Sequence, residues 1–135
     1  MKKLFVALMA VLVLASCGEK KEPQVTPADV MMMTVDAMNS ATENFDKAAT
    51  VDEVIDAMAG FYSEMKELQT NYGDIMTVVD TLSEEDLNEK YPVEMEAMQN
   101  AVEKYSVSIV SKMELMQNMT PEQEKRWLEI IESEL

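Results

Sequence analysis

The sequence predicts an all-α protein: a small antiparallel bundle of three long helices with a short helix at the C-terminal end. Three observations lead there. Apolar residues recur at alternating spacings of three and four through most of the chain after residue 27. Helix-start signals at Thr26, Thr50, Ser83 and Thr120 divide that stretch into segments. Gly and Pro number only 3 and 4 in 135 residues, too few for a turn-rich β fold. No segment alternates apolar and polar residues at period 2 over the length of a strand.

The N-terminal residues are not part of this bundle. Lys2 and Lys3 precede an apolar run from Leu4 to Leu14. A membrane-spanning helix needs about 20 apolar residues, so this run is too short to span and fits the core of an export signal. Leu14-Ala15-Ser16-Cys17 follows. This run resembles the lipobox of bacterial lipoprotein precursors, a Leu and two small residues before a Cys. The resemblance implies that a diacylglycerol is attached to the Cys17 sulfur, that the chain is cut before Cys17, and that the new amino group is acylated. Cys17 is the only cysteine, so it has no disulfide partner within the chain. Each buried acyl methylene contributes about 0.8 kcal/mol, and two or more acyl chains anchor stably. The expected organisation is therefore an export signal over residues 1–16, a lipidated cysteine and flexible tether over 17–26, and a helical domain over 27–135. The expected location is the cell envelope. Position 18 is Gly, not the Asp that retains some lipoproteins at the inner membrane, which favours the outer membrane.

Each helix has its own signals. Thr26-Pro27-Ala28-Asp29 places a capping hydroxyl before a Pro at the first helical position, with a carboxylate in the first turn. The helix is expected to run to about Lys47, with Met31, Val35, Met38 and Phe45 on one stripe and Ala41 between them. Thr50-Val51-Asp52-Glu53 is a capping box that opens the second helix. There Val51, Val54, Met58, Phe61, Met65, Leu68, Tyr72, Ile75, Val79 and Leu82 form a heptad seam. Gly73 interrupts the seam's chemistry but not its register, which predicts an unbroken helix with a weak point there. Ser83 reads as the cap of a short helix to about Lys90, and Pro92 starts the third long helix. Its expected stripe is Met95, Met98, Val102, Tyr105, Ile109, Met113 and Met116. Thr120-Pro121-Glu122-Gln123 repeats the first start signal, and Trp127, Leu128, Ile131 and Leu135 supply the apolar contacts of a last short helix that folds back over one end.

Charge and composition restrict function. The formal net charge is −15, and loss of Lys2 and Lys3 with the signal would take it to −17. Such a surface repels nucleic acid and anionic headgroups. The chain contains no His, which removes the commonest acid–base catalyst and metal ligand. The carboxylates follow no calcium-loop spacing, and those of Glu84-Glu85-Asp86 and of Glu122 and Glu124 suit first helical turns, where negative charge meets the helix dipole. No catalytic residue, cofactor or hard-metal site is expected.

Methionine is the compositional outlier, at 14 residues. Met58, Met65, Met95, Met98 and Met116 lie on stripes continued by Val, Ile, Phe, Leu and Tyr, which predicts burial. Three consecutive residues, Met31, Met32 and Met33, cannot all point one way, and Met119 sits beside a cap. These four are the expected partner surface. Met113, Met116 and Met119 are spaced i, i+3, i+6, which serves packing, an adaptable binding surface or thioether ligation of Cu(I) or Ag(I).

Met119-Thr120-Pro121-Glu122-Gln123 also resembles the L-T-x-x-Q motif of the Spy-type periplasmic proteins, with Leu82-Ser83-Glu84-Glu85-Asp86 as a second, degenerate copy. Met119 stands where that motif has Leu, and Asp86 where it has Gln. The resemblance implies a helical envelope protein acting as an ATP-independent chaperone or a metal-stress sensor. The expected function is thus a non-enzymatic, lipid-anchored bundle that meets a protein partner. A Spy-like chaperone and a soft-metal-binding lipoprotein are the alternatives.

Cys17→Ala should abolish labelling by a fatty-acid analogue and move the protein out of the membrane fraction. A variant that stays labelled and membrane-bound would show the lipobox reading to be wrong.

Overall fold

The structure, a computed structural model, describes residues 24–133. The export signal read over residues 1–16, Cys17 and most of the tether lie outside the described residues. Five helices occur among the described residues: α1 (Pro27–Lys47), α2 (Val51–Asp80), α3 (Glu84–Lys90), α4 (Pro92–Met116) and α5 (Pro121–Glu132). The same residues contain no strand. None of the helices is long and apolar enough to cross a membrane.

The caps explain where helices begin. The Thr26 hydroxyl accepts the Asp29 N–H at 3.2 Å, and the Asp29 carboxylate accepts the Thr26 N–H at 2.8 Å. Thr50 with Glu53 and Thr120 with Gln123 form the same reciprocal pair. Ser83 caps α3 by accepting the Asp86 N–H at 3.1 Å. Each such cap stabilises its helix by about 1 kcal/mol. Helix α4 starts at Pro92 without a side-chain cap, and a proline there has no N–H to satisfy.

Packing centres on α1. Helices α2 and α4 both lie along it, while α2 and α4 meet each other only over a short stretch and α5 rests on α2. The link from α1 to α2 is three residues, so those two helices run antiparallel. Helix α4 runs parallel to α1. Its Ser108 hydroxyl donates to the Asp46 carboxylate, with the Thr42 carbonyl 3.3 Å away. One turn on, Lys112 Nζ donates to the Ala48 carbonyl at 2.8 Å, placing a cation at the C-terminal end of α1, where the helix dipole favours it.

The core sits at the α1–α2 end. Phe45 and Ile55 have no solvent exposure, and Ala41, Ala48, Val54, Ala57 and Met58 surround Phe45. Tyr105 closes it from α4. Its ring meets Phe45 edge-on at 5.8 Å and lies 5.1 Å from Phe61, and its hydroxyl donates to Met58 Sδ at 3.8 Å. Burial, with a smaller contribution from Tyr62, pushes the Tyr105 pKa up to about 12.

Three sequence expectations need correction. First, the α2 seam is fully buried only at its start, where Val51, Val54, Ile55, Ala57 and Met58 are covered. Phe61, Met65, Leu68, Tyr72, Ile75, Val79 and Leu82 are half-buried, and Val78 is 54% exposed. Helix α2 starts level with the end of α1 and has 30 residues against 21. At 1.5 Å per residue it is about 13 Å longer than α1.

Second, α2 is not straight. Tyr72 has φ −135° and ψ 21°, a kink inside the helix. It directly precedes Gly73, where helix propensity is lowest. Third, α4 is turned by about one residue from the expected stripe. Ala101 and Ser108 are buried, whereas Val102 is 42% and Met113 57% exposed. Small side chains take the fully buried positions of α4, and larger residues are left beside them.

Denaturant unfolding should resolve these environments. Phe45→Ala should cost about 3–5 kcal/mol, the usual loss for a fully buried Phe, and Leu68→Ala distinctly less. Gly60→Ala should stabilise by about 0.5–1 kcal/mol, because a Cβ at that helical position meets nothing within 4 Å. An equal cost at Phe45 and Leu68 would contradict the core placement.

Candidate functional site

Helix α4 ends at Met116, and the chain turns through Gln117 and Asn118 to the cap of α5 at Thr120. That turn returns α5 across α2. The Arg126 guanidinium straddles two carboxylates one helical turn apart, Asp52 at 3.1 Å and Asp56 at 2.8 Å. All three side chains are about half exposed or more. Exposed pairs of this kind contribute about 0–1 kcal/mol, so the fork adds little to the stability of α5. Trp127 and Ile130 pack on the core cluster.

The result is a cleft of about 340 Å³ between the core end of α1 and α2, the end of α4, and α5. Phe45, Val54 and Met58 form its floor side, Ile109, Lys112, Met113 and Met116 come from α4, Gln117 and Met119 from the turn, and Trp127 from α5. The volume is within the range of small-molecule and peptide side-chain sites. The lining is apolar apart from Lys112 and Gln117, and no carboxylate contributes to it although the chain carries 26 acidic residues. The ammonium of Lys112 is engaged by the Ala48 carbonyl. Among the described residues no group of three or more His, Cys, Asp or Glu is placed to hold a metal ion.

The structure sorts the methionines differently from their stripes. Met113, Met116 and Met119 all line the cleft and are joined there by Met58. Met113 is 57% exposed, Met116 and Met119 are half-buried, and Met58 is 6% exposed. Of the expected partner surface at Met31, Met32 and Met33, Met31 is 4% exposed. It shares the inward face of α1 with Val35 one turn on, so it belongs to the interior, while Met32 and Met33 are half-buried. Met65, Met95 and Met98 are half-buried where burial was expected. Met119 lies in the turn just ahead of the Thr120 cap, apart from the triplet, so the four residues do not make one surface.

Sequence reasoning did not bring Met58, Phe45, Val54, Lys112 and Trp127 to this place. They come from four helices, and only tertiary packing joins them. Both copies of the T/S-x-x-Q/D pattern act as helix caps, at Thr120–Gln123 and at Ser83–Asp86. A second cleft of about 500 Å³ lies beside Phe61, Tyr62, Met65, Lys66, Gln69 and Ser133, where α2 leaves the core. No family model matches the chain, and no curated protein or solved structure matches it.

Mild peroxide treatment with peptide mass mapping should oxidise Met113 first, Met116 and Met119 next, and Met31 and Met58 last, because sulfoxide formation follows exposure. Early oxidation of Met31 would contradict its burial.

Proposed function

We propose that this protein is a non-enzymatic, lipid-anchored component of the cell envelope that holds an apolar helical segment of a partner protein in its methionine-lined cleft. We read its architecture as an up-down-up arrangement of three long helices, closed at one end by the short C-terminal helix. The observation that carries the proposal is an apolar cleft opening on a strongly acidic chain. Apolar surface that is neither buried nor scattered singly marks an interaction site. Methionine suits such a surface because its flexible thioether repacks around different side chains. The net charge of −15 selects for a segment flanked by Lys or Arg, and speeds its encounter at low salt. Lipidation at Cys17 would confine the search for that partner to the membrane surface.

A Spy-like chaperone reading draws on a different feature, the half-buried seam of α2 past Phe61 together with exposed Val78. A long, shallow apolar row suits many weak contacts with an unfolded chain better than one docked helix.

Trp127 is the only tryptophan and lines the cleft, so its fluorescence reports occupancy. A cationic amphipathic helical peptide should shift its emission and bind at least tenfold more tightly than an anionic peptide with the same apolar face. Met113→Gln should weaken that binding about tenfold and Val78→Gln should leave it unchanged. The reverse pattern would transfer binding to the α2 seam and favour the chaperone reading. Absence of binding by either peptide would refute the docking proposal.

A further inference from the structure

Met113 is the side chain in the cleft that packing does not explain. A residue kept for core filling is covered, and Met113 is 57% exposed at the mouth. The chain nevertheless brings two more thioethers beside it. Met116 follows one turn later on α4, and Met119 returns to the same cleft only because the helix ends and the chain turns at Gln117 and Asn118. Met58 supplies a fourth sulfur from α2 and accepts the Tyr105 hydroxyl. The donors thus come from two helices and a turn, and converge only in the folded chain.

We propose that this cleft is a binding site for a single soft monovalent cation of the copper(I) or silver(I) class, ligated by the thioethers of Met113, Met116 and Met119, with Met58 at its base. The donor set favours such ions over others. Thioether sulfur selects soft d¹⁰ cations, whereas Mg²⁺, Ca²⁺ and Mn²⁺ require oxygen and Zn²⁺ prefers imidazole, thiolate or carboxylate. The cleft offers none of these: no carboxylate lines it, and the chain has no His. Thioethers are neutral, so the bound ion keeps its single charge. The open mouth at Met113 leaves it partly solvated, which lowers the cost of bringing charge to an apolar site. The net charge of −15 attracts it. Lys112 opposes it, although its ammonium is held on the Ala48 carbonyl at 2.8 Å. The site does not depend on the partner-docking reading.

The test uses the full chain in detergent with Cys17→Ala, which removes the only thiol. Titration with Ag(I) should quench Trp127 fluorescence and saturate at one ion per chain. Under anaerobic conditions the protein should take Cu(I) from a competing chelator. Combining Met113→Leu, Met116→Leu and Met119→Leu keeps the volume and apolarity of the cleft, so the helical far-UV spectrum should be retained. Affinity for either ion should fall at least a hundredfold. Lys112→Gln should tighten binding severalfold. If the triple variant binds as the parent does, or the parent fails to compete with the chelator, the site is overturned. Failure of the parent chain to bind the cationic peptide, with its metal binding intact, would instead count against the docking reading alone.

Discussion

Two helices must be buried against α1 at once, on different faces, and the rest of the fold depends on how they share it. Where α1 meets α2, Phe45 and Ile55 are completely removed from water. Where α1 meets α4, Ala101 and Ser108 are buried and the Ser108 hydroxyl donates to the Asp46 carboxylate. Polar groups tie α4 to α1 as well as packing does, through Ser108 and Lys112. Since α2 and α4 both spend their best faces on α1, they barely meet each other. Tyr105, reaching Phe45, Phe61 and Met58, is the main bridge between them.

That sharing leaves apolar surface uncovered in two places. Along α2 the seam is only partly covered past Met58. Beside α4, the displacement of the buried face toward Ala101 and Ser108 turns Val102 and Met113 outward. The C-terminal helix covers part of the second gap. Trp127 and Ile130 pack on the core cluster, and the Arg126 fork on Asp52 and Asp56 joins α5 to α2. Because α5 covers the gap only partly, the cleft stays open between it and the end of α4.

The cleft's chemistry follows from which residues were left there. Charged side chains are excluded from its lining except Lys112, whose ammonium serves the C-terminal end of α1. Methionine is the one residue type there that can both pack like an aliphatic residue and donate a soft lone pair. A helical segment and a soft cation therefore make compatible demands on the same walls.

Helix boundaries were legible in the residues alone because caps are local. Thr26, Thr50, Ser83 and Thr120 each act on backbone groups three residues away, and all four cap where their signals lie. The all-helical class was legible for the same reason, since a repeat of three and four needs no partner to be recognised. Burial along those repeats was not. Periodicity says which side chains share a face but not whether anything lies against it, so Met58 and Leu68 look alike in sequence and differ in the fold. The rotation of α4 was hidden because the inward residues, Ala101 and Ser108, are small and carry little hydrophobic signal, while Val102 and Met113 carry more. The ladder Met113–Met116–Met119 was visible as spacing, but its meaning was not, because Met119 lies beyond the end of α4. The sequence by itself determined the helices, their ends and the acidic, methionine-rich character of the chain, all set within a few residues of backbone. Only tertiary structure decided that α1 would be shared, that the α2 seam would be covered only at its start, and that three helices and a turn would place four thioethers and Trp127 around one cleft. Those outcomes depend on competition between helices for the same surface.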